Sequence, residues 1–321
     1  MKYFKLCFQN SLFALAMLIS VANAYASCGG AFCNINTDWD VHGVATGKGV
    51  RLDLRAEYIK AEDLRSGSHK VGKTDELGEE NETRTINRNF IATLDYSINR
   101  EWGITLRLPL LDRAHRHDIN TIDGAEAEKW NFSGLGDAQV MVRKSLYQTG
   151  NLASSSNAGV RFGLKLPTGK FSEKNSDGEA AERMLQPGTG TLDSLLGAYY
   201  NQHDGNLSWF TQALWQHALN TRDNYKPGQR LGVDVGLSYS ATPNVNLLLQ
   251  LNAQLRGKDS GSAAEPENSG GKSLNISPGL SYRIANGMQL YGFIQKPIYQ
   301  YVNGRQLTPD WSAAAGLSVQ F

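Results

Sequence analysis

The stretch Val50-Arg51-Leu52-Asp53-Leu54-Arg55-Ala56-Glu57-Tyr58 sets an apolar residue against a charged one at every step. Successive side chains of a β-strand point to opposite faces, so this segment predicts a strand with one wholly apolar and one wholly charged face. Four charges on one face of a single strand need water or each other. Five apolar residues on the other face need a core or lipid.

The same rhythm returns along the chain, and it separates those two possibilities. Further strands are predicted at Thr83 to Ile98, Trp102 to Leu111, Gly136 to Tyr147, Ala158 to Leu166, Thr191 to Asn201, Leu207 to His217, Arg230 to Ala241, Val245 to Arg256, Leu274 to Ile284, Met288 to Pro297 and Trp311 to Phe321, about twelve in all. The connections alternate in length. Asn99 to Glu101, Gln148 to Asn157, Gln202 to Asn206, Thr242 to Asn244 and Ala285 to Gly287 are short, several with turn-forming residues. Glu62 to Glu82, Asp112 to Ser133, Pro167 to Gly190, Ala218 to Gln229, Gly257 to Ser273 and Ile298 to Asp310 are long and polar. A soluble sandwich has no reason to sort its loops by parity. An all-β, up-and-down transmembrane barrel with short periplasmic turns and long extracellular loops does.

Composition allows this. The 321-residue chain has a net charge of +1, which gives nucleic acid no basic surface. Its mean hydropathy is -0.39, and beyond residue 26 it has no apolar run long enough for a membrane helix. Residues 1–26 read as an export signal, with Lys2 and Lys5 ahead of the apolar Ser11 to Ala22 and small residues at cleavage spacing. Residues 27–49 then form a periplasmic N-terminal segment, and 50–321 the barrel. The last strand alternates up to Phe321, a terminal aromatic that resembles the signal read by the barrel assembly machinery. The expected location is the cell outer membrane, with lipid as partner and the chain a monomer or weak homo-oligomer. Aromatic girdles are expected to include Tyr96, Trp102, Trp209, Trp215, Tyr239, Tyr282, Trp311 and Phe321.

If apolar faces meet lipid, the opposite faces line the lumen. Arg51, Asp53, Arg55, Glu57, Asp95, Arg107, Asp137, Arg143, Arg161, Lys165, Asp234 and Arg283 are the predicted lumen residues. Charges of both signs in a narrow lumen must pair across strands or stay wet. Asn246, Gln250, Asn252 and Gln254 share a face and add amides. The wall suits a small polar or amphipathic solute.

Residues 27–49 lack the alternation and carry Cys28, Cys33, Trp39 and His42. A local Cys28–Cys33 disulfide, a thiol metal site with His42 or nearby Asp residues, and lipidation at Cys28 are the three readings; export and the even cysteine count favour the disulfide. The segment is expected to sit at or in the periplasmic mouth as a hatch.

Gly134-Leu135-Gly136-Asp137, Lys165-Leu166-Pro167-Thr168-Gly169-Lys170-Phe171, Gln186-Pro187-Gly188-Thr189-Gly190 and the following Leu192-Asp193 resemble the outer-membrane family of the meta-pathway of phenol degradation. The resemblance implies a channel for hydrophobic or aromatic solutes. Read from the residues alone, these motifs are turns at a barrel rim. No cofactor and no metal centre is expected. The enzyme alternative is a phospholipase-type barrel using His115, His117 or His217, but no Gly-x-Ser-x-Gly accompanies them, and each His reads as solvated or interfacial. A structural or adhesive barrel is the third reading.

Overall fold

Gly49–Gly67 forms β1, and it is paired on both edges. One edge meets the end of the chain, from Arg51 opposite Gln320 to Gly67 opposite Val302. The other meets Glu80–Ser97 (β3), from Gly49 opposite Ser97 to Ala61 opposite Thr85. First and last strands therefore close the sheet on itself. The computed structural model describes residues 33–39 and 48–321, apart from residues 79 and 152.

Between these ends run β2 (His69–Lys70), β4 (Trp102–Thr121), β5 (Gly124–Leu135), β6 (Gln139–Gly150), β7 (Ser154–Lys165), β8 (Asp193–Asp204), β9 (Leu207–Ala218), β10 (Arg230–Ser240), β11 (Val245–Arg256), β12 (Gly271–Ala285) and β13 (Met288–Gln320). All pairings are antiparallel, in the order β13-β12-β11-β10-β9-β8-β7-β6-β4-β3-β1 and back to β13, with β2 and β5 as additions. β13 occupies two places in the ring. Its first arm pairs with β12, its second with β1, and it reverses at Asn303-Gly304, where Gly304 takes φ 57°. Counted by passes through the wall, the barrel has the expected twelve strands. No helix occurs among the described residues.

Burial is inverted relative to a soluble protein. Leu54 is 47% exposed on the outside, while its neighbours Arg55 and Asp53 are 4% and 2% exposed within. The same holds for Leu108, Leu237, Leu249 and Leu280, all exposed outward. Tyr96, Trp102, Tyr239, Tyr282 and Phe321 lie exposed beside the short turns, and toward the other end Trp311 packs its ring on Tyr58 at 5.5 Å. An apolar band between two aromatic belts, on a sheet without edges, is what lipid demands of a β protein.

Three of the long connections are mostly strand. β1 runs on to Gly67, β4 and β5 form a hairpin from Leu110 opposite Leu135 to Thr121 opposite Gly124, and Ile298 to Asp310 lies inside β13. Above the membrane neither face meets lipid, so the apolar alternation stops while the ladder of hydrogen bonds continues. The wall thus projects past the bilayer on one side. The other long connections, 166–192, 219–229 and 257–270, turn inward over the lumen.

Candidate functional site

Residues 33–39 cross the lumen as a bar. Their backbone has no strand partner, and its polar groups are taken up by wall side chains instead. Cys33 N donates to Glu57 Oε2 (3.3 Å), Asn34 N to Gln295 Oε1 (3.2 Å) and Asn36 N to Gln250 Oε1 (3.0 Å), while Gln250 Nε2 donates back to Asn36 O (2.8 Å). Arg55 donates to Ile35 O (3.2 Å) and Thr37 Oγ1 (2.7 Å) and pairs with Glu57 at 2.9 Å. Asp38 pairs with Arg161 on β7. Trp39 Nε1 and the Tyr291 hydroxyl donate to the two oxygens of Asp53, at 3.0 and 2.8 Å. Cys33, Ile35 and Trp39 add an apolar cluster with Ile59, Leu248, Tyr291 and Phe293. Of the segment expected at or in the periplasmic mouth, residues 33–39 thus lie within the lumen. Cys33 is buried and carries a free thiol; Cys28, the other half of the expected disulfide, and His42 lie outside the described residues.

The predicted lumen charges fall inside with one correction. Arg51, Asp53, Arg55, Glu57, Asp137, Arg143, Arg161 and Lys165 are buried, and Asp95, Arg107 and Asp234 are partly so. Arg283 has the inward parity but lies exposed beside the short turn at Ala285 to Met288, past the end of the enclosed lumen. Pairing across strands or contact with water was expected, and Asp95, Glu57 and Asp234 do accept across neighbouring strands from Thr105 Oγ1 (2.6 Å), Asn89 Nδ2 (3.0 Å) and Asn252 Nδ2 (2.8 Å). In addition Asp53, Arg55, Glu57, Arg161 and Asp234 hold the bar, Asp234 through Asn36 Nδ2 (3.1 Å).

At the long-loop end the three glycine-bearing motifs meet. The wall breaks between β5 and β6 at residues 136–138, and Asp137 turns in to accept from Lys165 Nζ (2.6 Å), Gly169 N (3.1 Å) and Thr189 N (2.9 Å). Lys165 also donates to Thr189 Oγ1 (2.5 Å) and Thr191 O (2.9 Å) and faces Asp193 at 3.4 Å. Thr168 Oγ1 donates to Gly136 O (2.9 Å) and accepts from Ala138 N (2.8 Å). Gly169 and Gly188 are pressed together so closely that a Cβ on Gly169 would stand 2.8 Å from Gly188 Cα. These residues are turns, as their chemistry predicts, but together they are a knot that draws loop 166–192 into the barrel mouth. Further along, Leu185 and Ala181 pack on Trp130, and Arg113 holds the backbone oxygen of Met184 (3.3 Å), that of Leu185, and Asn87 Oδ1 (2.5 Å).

Between the bar and the inward loops lies a chamber of about 270 Å³. Arg107, Arg113, Lys165, Arg230 and Arg256 reach it, as do apolar Pro109, Leu111, Met184, Leu195 and Leu214. Loops 219–229 and 257–270 roof it jointly through Asp259, which accepts from Tyr225 OH (2.8 Å), Gly228 N (2.8 Å) and Arg256 (2.9 Å). Arg113 was missed because the third strand was ended at Leu111, and continuing its odd-numbered inward parity would have found it.

That parity also carries His115 and His117 inside. Both are buried, not solvated, and they sit against Trp130 with ring centroids at 5.8 and 4.6 Å. His115 Nδ1 lies 2.8 Å from Thr85 Oγ1. His117 lies 3.0 Å by Nε2 from Glu128 and 3.6 Å by Nδ1 from Glu80 Oε2. His217 is interfacial, stacked on outward-facing Trp215 at 5.3 Å. Above His117 hangs Glu182 of loop 166–192. Burial, then the charges of Glu265, Glu82 and Glu80, push its acid well above the usual carboxylate range, and burial with Glu82 and Glu80 raises Glu265 to about 8.

A closed antiparallel barrel, apolar outside and charged within, with its lumen crossed by its own residues 33–39, is a transmembrane β-barrel of the outer-membrane type. The chain belongs to the family described as the putative MetA-pathway of phenol degradation, whose model matches residues 102–308. Among solved structures it is similar to an outer membrane channel from Pseudomonas putida F1, at 13% identity and a TM-score of 0.64 over 89% of this chain and 100% of that one. It is less similar to the NanC porin, at 13% identity and a TM-score of 0.44 over 84% and 100% of the two chains. The CymD monoaromatic hydrocarbon channel stands at 8% identity and 0.41 over 91% and 95%. Only the first is near enough in shape to bear on the fold. No curated protein matches in sequence.

Proposed function

We propose that this barrel carries a small aromatic solute bearing a hydroxyl or carboxylate across the outer membrane, by way of the chamber above the bar. The observation that carries this reading is the chamber's mixed lining. Pro109, Leu111, Met184, Leu195 and Leu214 offer an aromatic ring apolar contact, and the guanidinium groups of Arg107, Arg113, Arg230 and Arg256 offer an oxygen charge-assisted donors. Its volume lies just below the range of drug-sized sites, which starts at about 300 Å³, and so suits a single small ring. The family's description, which concerns phenol degradation, supports the same chemistry. In this reading residues 1–26 direct export, the short turns face the periplasm, the barrel assembly machinery inserts the chain, and the bar is the inner barrier to passage.

Removing residues 27–49 from the mature barrel and recording single-channel conductance in planar bilayers tests the barrier. Conductance rises if the bar is what narrows the path; an unchanged value defeats it. The solute class is tested by current block. Benzoate and phenol added to the intact channel should reduce ion current at concentrations where glucose does not, and equal responses to all three defeat the aromatic reading.

A further inference from the structure

Loop 166–192 meets the wall at a second place, where carboxylates gather around Glu182. Glu80 at the start of β3, His117 on β4 and Glu182 on the loop each bring one ligand atom to a common point, all within 4.8 Å of one another. Glu82 and Glu265 are close enough to act on Glu182 electrostatically. Two features distinguish this group from a mere acidic cluster.

The first is Glu182. Both its carboxylate oxygens are sealed from solvent, and neither has a hydrogen-bond partner among the described residues; the exposure the residue retains lies elsewhere on it. A buried carboxylate without donors is costly to keep, and carboxylate neighbours raise that cost. The second is the orientation of His117. Its Nε2 lies at hydrogen-bond distance, 3.0 Å, from Glu128, and with the ring proton there Nδ1 turns a lone pair toward Glu80 Oε2 at 3.6 Å. Two lone pairs facing each other call for a cation between them. A ring nitrogen aimed by a carboxylate on its far side is the arrangement metal-binding histidines use.

We propose that Glu80, His117 and Glu182 bind a divalent cation of zinc's class, and that the bound ion fastens loop 166–192 over the mouth of the lumen. One imidazole and two carboxylates suit Zn²⁺ better than Ca²⁺ or Mg²⁺, which take oxygen ligands alone. Donors around a tetrahedral Zn²⁺ stand about 3.3 Å apart at bond lengths of about 2.0–2.1 Å. Binding therefore draws Glu182, the ligand on the loop, inward toward the two on the wall. The inference is independent of the solute and holds whether or not the aromatic reading does.

The test uses the full barrel folded in detergent micelles, stripped with a chelator, dialysed and titrated calorimetrically with Zn²⁺. One Zn²⁺ per chain is expected. Glu182→Gln and His117→Ala should each weaken it by about tenfold or more, while Glu101→Gln, which touches only the exposed Lys144 pair at the opposite end, leaves it unchanged. The heat-modifiable gel shift reports whether each variant is folded. Glu182→Gln keeps shape and removes charge, so it decides the matter if His117→Ala does not fold. Protease cleavage of loop 166–192 gives a second readout: Zn²⁺ should slow it in the parent and not in Glu182→Gln. Absence of Zn²⁺ binding, equal affinity in all variants, or binding of Ca²⁺ in place of Zn²⁺ would each overturn the site.

Discussion

Loop 166–192 is held at two points built on opposite principles. At its base, Asp137 and Lys165 are buried, yet each hydrogen bond they need is made, by Gly169, Thr189 and Thr191, with Asp193 sharing the charge. At its tip, the Glu182 carboxylate is sealed in beside Glu80, and neither of its oxygens has a donor among the described residues. A charge pair closed by backbone donors is self-sufficient and serves as architecture. A carboxylate buried among carboxylates is not, and its deficit is what an incoming cation supplies. The same loop thus combines a permanent fastening with a conditional one, and the difference lies in how completely each polar atom is satisfied.

The sharpest way to break that contrast is to unbalance the base. Asp137→Ala leaves Lys165 buried with only the more distant Asp193, and breaking one partner of a buried pair costs about 3–5 kcal/mol. The unfolding midpoint in denaturant should fall accordingly, and an unchanged midpoint would mean the knot is not structural. Leu185→Ala follows. It opens a cavity beneath the tip, where Leu185 is 1% exposed against Trp130, at about 2–4 kcal/mol. Its readout is faster proteolysis of the loop than in the parent.

Gly188→Ala should cost about 1–3 kcal/mol through overpacking against Gly169, again seen as a lowered midpoint. If alanine were tolerated there, the close crossing of the two motifs would not matter. The smallest effect is expected at the tip and has the opposite sign. In chelator, Glu182→Gln replaces an unsatisfied buried carboxyl and should raise stability by about 1 kcal/mol or less, seen as a slightly higher midpoint. A loss there instead would place Glu182 with the architecture of the base.

How far the sequence reaches differs along the chain. Between Val50 and Tyr58 the charged face was legible because lipid on one side forces alternation. From Asp112 onward along β4 it was not, although Arg113, His115 and His117 keep the same parity. Their outward partners no longer meet lipid, so Arg116 and Asp118 stand where a leucine would otherwise mark the rhythm. Glycines 169 and 188 were legible as turn residues, but nothing in either motif says that it is pressed against the other. Residues 33–39 carry no periodicity at all, because their partners are side chains on β1, β7, β10, β11 and β13, not a neighbouring strand.

The sequence by itself determined the barrel, its closure and which charges face inward where the opposite face meets lipid, since those follow from a local two-residue period and the solvent on either side. Only the tertiary structure decided that the lumen is barred by the chain's own residues 33–39. It alone decided that Asp137 is balanced and Glu182 is not. The physical reason is that satisfaction of a buried polar group depends on atoms brought from distant segments, and no local pattern of residues encodes their arrival.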